Sequence, residues 1–283
     1  MADFTVWSSF LTLRIGLPQW QHPHWKQFGL ETLADYAQLF DCVEGNTTLY
    51  ALPKPEVVMR WHDMTHDDFR FCFKFPASIS HQAALRQCDD LLTEFFRLLD
   101  PLAHRIGQYW LQLPAAFSPA QLPDLWRFID SLPRRFRYGV EVRHAAFFAK
   151  GEAERALNRG LQQRGVNRVI LDSRPVHASQ SQTAAAIEAR RKKPRVPPHA
   201  VRTGQQPMVR FIGSDSVTES LPLFQPWQRK LPEWLAESDP LLFIHTPDMG
   251  EVFPLIQALW PQLQQLEPRL SPLPVWPQQS SLF

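Results

Sequence analysis

Eight short runs of β-branched and aromatic residues recur along the chain, and most are followed by a helix-length segment with apolar residues at helical spacing. That alternation predicts repeated strand–helix units and a parallel sheet, because parallel neighbours need a crossover long enough to hold a helix. The strand-like runs are residues 11–17, 42–48, 69–75, 106–113, 137–143, 168–173, 208–213 and 241–245. Helices are predicted over about 31–40, 56–64, 89–99, 119–131, 152–164 and 251–265. Eight such units define an α/β fold, a (β/α)₈ TIM-like barrel, which typically takes about 250 residues. One barrel over residues 1–267 accounts for nearly all of the 283. Two segments break the rhythm: a long basic loop after the sixth strand, residues 174–207, and an extended, proline-rich C-terminal tail, residues 268–283.

Composition narrows the class. With 44% hydrophobic and 20% charged residues, the chain is a globular protein with a sizeable core, not a disordered one. A formal net charge of +2 is too small for the whole surface to bind polyanions, so nucleic-acid binding has to rest on a local patch. Cys42, Cys72 and Cys88 lack the close pairing of metal or redox motifs, which fits a reduced compartment. The first ten residues do not read as a secretory signal, and no apolar run approaches the roughly 18 residues of a membrane span. The expectation is a soluble, cytoplasmic protein without a membrane partner.

Strand parity sharpens this into a site. Successive strand side chains point to opposite faces, which sets Glu44 and Asn46 against Val43 and Gly45, and Arg70, Cys72 and Lys74 against four phenylalanines. The same alternation sets Trp110 and Gln112, Glu141 and Arg143, Arg210, and finally His245 on one side, with Ile170, Asp172 and Arg174 assigned there for the sixth strand. Barrel enzymes carry their chemistry at the C-terminal strand ends, where most of these residues fall. The candidate catalytic residues are Glu44, Glu141 and Asp172, the first two as acid or base. Lys74, Arg143 and Arg174 are candidate anion contacts, Asn46 and Gln112 orienting groups, Trp20 and Tyr50 an aromatic wall, and His81 a proton relay.

Plainer alternatives stand beside each. Glu141 can pair with Arg143 or Lys74, and Asp172 with Arg174, as a self-satisfied ion network. Lys74 can neutralise Glu44 or Glu141, bind phosphate, or act as a Schiff-base nucleophile. An oxygen/nitrogen metal site from Glu44, Glu141, Asp172 and His245 has no supporting His spacing and would sit beside Lys74 and Arg143. No feature selects a cofactor.

The run V-E-G-N-T-T-L-Y at 43–50, followed by F-C-F-K-F-P at 71–76, Ile79 to His81, L-Q-L-P at 111–114 and E-V-R-H at 141–144, resembles the YecE-like family, domain of unknown function 72, across essentially the whole chain. The resemblance implies a TIM-like barrel and an activity that is unknown. Gly16, Trp20 and Trp25 match the family's first-strand pattern. At the last strand, Phe243, His245, Thr246 and Pro247 depart from the aromatic and asparagines of many members.

Two further segments suggest partners. Arg190, Arg191, Lys192 and Lys193 form the centre of a basic run on the mouth side, a candidate contact for a nucleic-acid backbone or a phosphorylated ligand. The last five residues, Q-S-S-L-F, resemble the bacterial sliding-clamp-binding peptide, with Leu282 and Phe283 as apolar anchors and Gln279 as a rim hydrogen-bonder. Two functions follow as expectations: an enzyme for a phosphorylated or nucleic-acid-derived anionic substrate, or a non-catalytic DNA-associated module tethered to the clamp.

Overall fold

β-branched and aromatic runs settle into a parallel sheet when helices cover one face and a second layer of side chains fills the other. In a computed structural model describing residues 11–274, the strands are β1 (Arg14–Leu17), β2 (Cys42–Gly45), β3 (Arg70–Phe73), β4 (Tyr109–Gln112), β5 (Tyr138–Glu141), β6 (Asn167–Asp172), β7 (Met208–Ile212) and β8 (Leu241–His245). They run parallel in the order β3-β2-β1-β8-β7-β6-β5-β4. The seam between β3 and β4 is closed by bridges from Phe71 to Ile106 and from Lys74 to Trp110, and by Gly107 N–H donating to the Phe71 carbonyl at 2.9 Å. The expected TIM-like barrel is the observed architecture.

The outer layer contains α1 (Leu33–Leu39), α2 (Pro55–Asp63), α3 (Asp89–Leu99), α4 (Leu122–Ser131), α5 (Glu152–Gln163), α6 (Arg174–Ala178), α7 (Ala184–Lys192), α8 (Val217–Leu235) and α9 (Val252–Leu266). Thr32 and Asp35 form a reciprocal capping box that starts α1. Outward-facing Ile15, Val43, Phe71, Val140, Phe211 and Ile244 join the core shared with these helices. Inside the barrel, Cys42, Cys72, Trp110, Val169, Met208, Leu241 and Phe243 form a separate apolar plug. Gly16 lets β1 lie close to β2, since a Cβ there would stand 2.0 Å from the Cys42 carbonyl oxygen.

Three features differ from the sequence reading. The strands are shorter than the apolar runs, because the ladders end where 3₁₀ turns such as Asn46–Leu49 begin. The stretch after β6 is not structureless but holds α6 and α7. The third is α8, which contains Pro222, Pro226 and Pro232, residues that ordinarily argue against a helix. Of the tail, the first residues dock: Leu270 is buried, and Trp260 Nε1 donates to the Ser271 carbonyl at 2.9 Å. The clamp-peptide residues Gln279, Leu282 and Phe283 lie outside the described residues. No helix among the described residues is long and apolar enough to cross a membrane.

Candidate functional site

A charged residue in the middle of an apolar strand is tolerated only when paired, and the run M-V-R-F-I of β7 carries one, Arg210. Its guanidinium joins both buried glutamates across the barrel axis. Nε and Nη2 donate to Glu44 Oε1 and Oε2 at 2.7 and 3.1 Å, while Nη1 donates to Glu141 Oε2 at 2.6 Å. Glu44 also accepts from Asn46 Nδ2 at 2.9 Å and lies 3.1 Å from His245 Nε2. Glu141 accepts from Arg143 Nε at 2.9 Å. These charge-assisted bonds satisfy both carboxylates.

The protonation states follow. Burial opposes ionisation of Glu141, yet Arg210 foremost, then Arg143 and Lys74, outweigh it and hold the carboxyl at about 2. Burial likewise opposes ionisation of Glu44, and Arg210 and His245 hold it well below the usual carboxylate range. Burial pushes His245 down to about 4 despite Glu44, so near neutrality it is the uncharged tautomer donating Nε2–H to Glu44. Neither glutamate therefore holds a proton to give at neutral pH.

Above this network opens a cavity of about 560 Å³, lined among others by Asn46, Lys74, Gln112, Arg143, Lys193 and Arg210. Lys74 Nζ donates to a neutral acceptor, Gln112 Oε1, at 2.8 Å, and lies 4.6 Å from the Trp110 ring centroid. Burial first, then Arg210, lowers Lys74 to about 7. Lys193 follows α7 and reaches the same cavity, where burial and then Arg210 lower it to about 8. Among the described residues neither lysine forms a salt bridge. Asn46 lines the cavity, while its Oδ1 atom is buried without a hydrogen-bond partner.

The structure thus brings Glu44, Glu141, Asn46, Lys74, Gln112 and Arg143 together. Tyr50 stands at the cavity's lip, 85% exposed. His81 keeps an exposed face, lies 2.8 Å from Ser80 Oγ through Nδ1, and has its pKa lowered by the partial desolvation of its ring and then by Arg143 and Lys74; it stands near the mouth without lining it. Trp20 packs edge-on against Trp61 at 5.1 Å rather than against the cavity.

The sixth strand's parity is corrected. Val169 belongs to the interior plug while Ile170 joins the helix-side core, which places Asp172 and Arg174 toward the helices. Asp172 accepts from Arg174 Nε and Nη2 at 2.9 and 2.7 Å and from Trp227 Nε1 of α8 at 2.8 Å. The pair locks α8 to the strand and does not reach the mouth. Without Asp172, and with Arg210 between the two glutamates, the four-residue metal set weighed from the sequence does not assemble.

The basic run divides as well. Arg190 donates to the Ser179 and Ser181 carbonyls at 3.3 and 2.6 Å, and Arg191 and Lys192 pair with Glu188 at 2.9 and 2.7 Å. Lys193, grouped by sequence with a nucleic-acid patch, is a residue of the mouth, and Lys192 with its partner Glu188 lines the same cavity. Arg210, legible by parity but outside the candidate set, is its centre.

Fold and site together define an α/β barrel of TIM type whose strand ends hold an arginine-locked carboxylate pair beneath a cationic cavity. The chain belongs to the family described as "Protein of unknown function DUF72", whose model matches residues 14–279, in agreement with the resemblance in its motifs. It is 62% identical over 269 residues to UPF0759 protein YecE of Escherichia coli K12, covering 95% of this chain and 99% of that one, and equally identical to its counterpart in Escherichia coli O157:H7. Among solved structures, a DUF72 family protein of Enterococcus faecalis V583 superposes with TM-score 0.68 at 17% identity, covering 95% of this chain and 99% of its own. Another, from Thermotoga maritima MSB8, gives 0.64 at 16% identity, with coverage of 88% and 99%. At such identities the structural matches establish the fold alone.

Proposed function

We propose that the protein is an enzyme whose barrel mouth binds a phosphorylated or nucleic-acid-derived anionic substrate. The observation that carries this reading is the pair Lys74 and Lys193, two ammonium groups facing one cavity without a carboxylate partner among the described residues. A bound anion would restore the charge that burial removes from them. Arg143 adds a further cation to the lining.

The geometry favours a division of labour different from the one the sequence suggests. Glu44 and Glu141 serve as fixed negative charges that hold Arg210. Proton transfer falls to Lys74, because an efficient acid or base has a pKa near the working pH and Lys74 is lowered to about 7. The clamp-tethered module has less support, since most of the basic run is bound to its own chain.

The test is a thermal-shift panel of nucleotides, sugar phosphates and short oligonucleotides on the wild type and on the K74M/K193M double variant. At least one phosphorylated compound is expected to stabilise the wild type by about 2.7 kcal/mol at a hundredfold excess over Kd, and to stabilise the double variant clearly less. Equal stabilisation of both proteins, or of neither by any compound, would contradict the reading.

A further inference from the structure

The opposite end of the barrel carries a second concentration of positive charge. Arg14 opens β1, Arg70 opens β3 and Arg137 immediately precedes β5, so alternate strands deliver three guanidiniums to the N-terminal end. With Arg135 they line a cavity of about 380 Å³ in which the sole lining carboxylate is that of Asp239. A water occupies about 30 Å³ in the liquid, so the space exceeds a single phosphate.

Two of the arginines, Arg14 and Arg70, are oriented by carbonyls rather than by carboxylates. Arg14 Nη1 donates to the Asp68 carbonyl at 2.8 Å, and Arg70 Nη1 to the Asp67 and Phe69 carbonyls at 2.6 and 3.0 Å. Among the described residues neither forms a salt bridge. Arg137 meets Asp239 at 3.3 Å, and Arg135 meets Asp100, outside the cavity lining, at 3.1 Å. Asp41 stands near enough to Arg14 to feel its charge but does not line the cavity. Burial first, and then Arg14 among its neighbours, weakens the hold of Arg70 on its proton.

We propose that Arg14, Arg70 and Arg137 form a second anion site at the N-terminal end of the barrel, one that takes a phosphate-type oxyanion of two or more negative charges such as a diphosphate. A purely stabilising role at this end would call for charges balanced by carboxylates. Arg14 and Arg70 instead bond only to carbonyls, one carboxylate, Asp239, faces three guanidiniums, and planar guanidiniums arriving from separate strands suit a tetrahedral oxyanion with acceptors in several directions. The plug centred on Trp110 separates this site from the mouth.

Calorimetric titration of the full chain with inorganic pyrophosphate tests the site through R70Q, R137Q and K74M/K193M. The arginine site is expected to bind in the wild type and in the lysine double variant, and to weaken at least about tenfold in R70Q and R137Q, a loss of about 1.4 kcal/mol. Arg137 is 47% exposed, so its replacement keeps the fold if R70Q does not. One equivalent bound, sensitive to the arginines alone, would support this site and count against the mouth. Loss of all binding in K74M/K193M, or binding indifferent to R137Q, would overturn the proposal.

Discussion

Replacing Arg210 with methionine is expected to destabilise the protein by about 3–5 kcal/mol, because two carboxylates are then left buried with their main partner gone. For a chain of this size that is a fall in Tm of roughly 10 °C. The pH dependence should identify the cause. In the wild type Glu141 is held at about 2, so its contribution is present above the ordinary carboxyl range and lost as pH falls through about 2. Without the guanidinium, burial dominates and raises the carboxyl pKa values, so the variant's deficit grows as pH rises through them. Urea melts should show the deficit shrinking from about pH 7 to about pH 5. A deficit below about 1 kcal/mol, or one independent of pH, would show that Arg210 does not hold the pair.

K74M should behave in the opposite way. Lys74 is a buried cation with one neutral hydrogen-bond partner, so a methionine of similar length removes a desolvation cost and should leave stability unchanged or raise it. Anion affinity should nevertheless fall about 10- to 100-fold, the equivalent of losing a hydrogen bond from a charged donor. Stability without function is the pattern of a residue kept for binding. The lysines also predict a pH signature. Their folded pKa values, about 7 and about 8, lie below the unfolded value, so above neutrality the unfolded chain binds more protons and stability rises with pH. K74M/K193M should flatten that rise.

Much of the barrel was legible because alternation survives wherever an interior polar residue interrupts an apolar strand. Glu44 on β2, Lys74 beyond β3, Gln112 on β4 and Glu141 on β5 are read correctly that way. β6 is buried along its whole length, and its V-I-L centre is apolar on both faces, so alternation there does not tell inside from outside. Alternation sets Asp172 on one face with Ile170, read from the sequence as the inside, whereas Arg174 and Trp227 satisfy it on the helix side. Arg210 shows a different limit. Parity gives its direction, but its bond to Glu44 spans 166 positions and exists only once the barrel closes. Lys193 was hidden inside a run of like charges, since sequence does not say which of them an intervening helix turns toward the mouth. The prolines of α8 concealed a helix that packing against β7 sustains through Phe211 and Phe224, 5.0 Å apart.

On the proposed reading, Lys74 and Lys193, neither in a salt bridge among the described residues, bind an anion at the mouth. Titrating sulfate by calorimetry at about pH 8, in buffers of different ionisation enthalpy, tests it most directly through the protons exchanged on binding. Sulfate is fully ionised there, and arginines at the far end do not titrate. The wild type should take up about one proton per sulfate bound at the mouth, and K74M/K193M none. Binding without proton uptake in the wild type, or uptake that persists in the double variant, would contradict the claim.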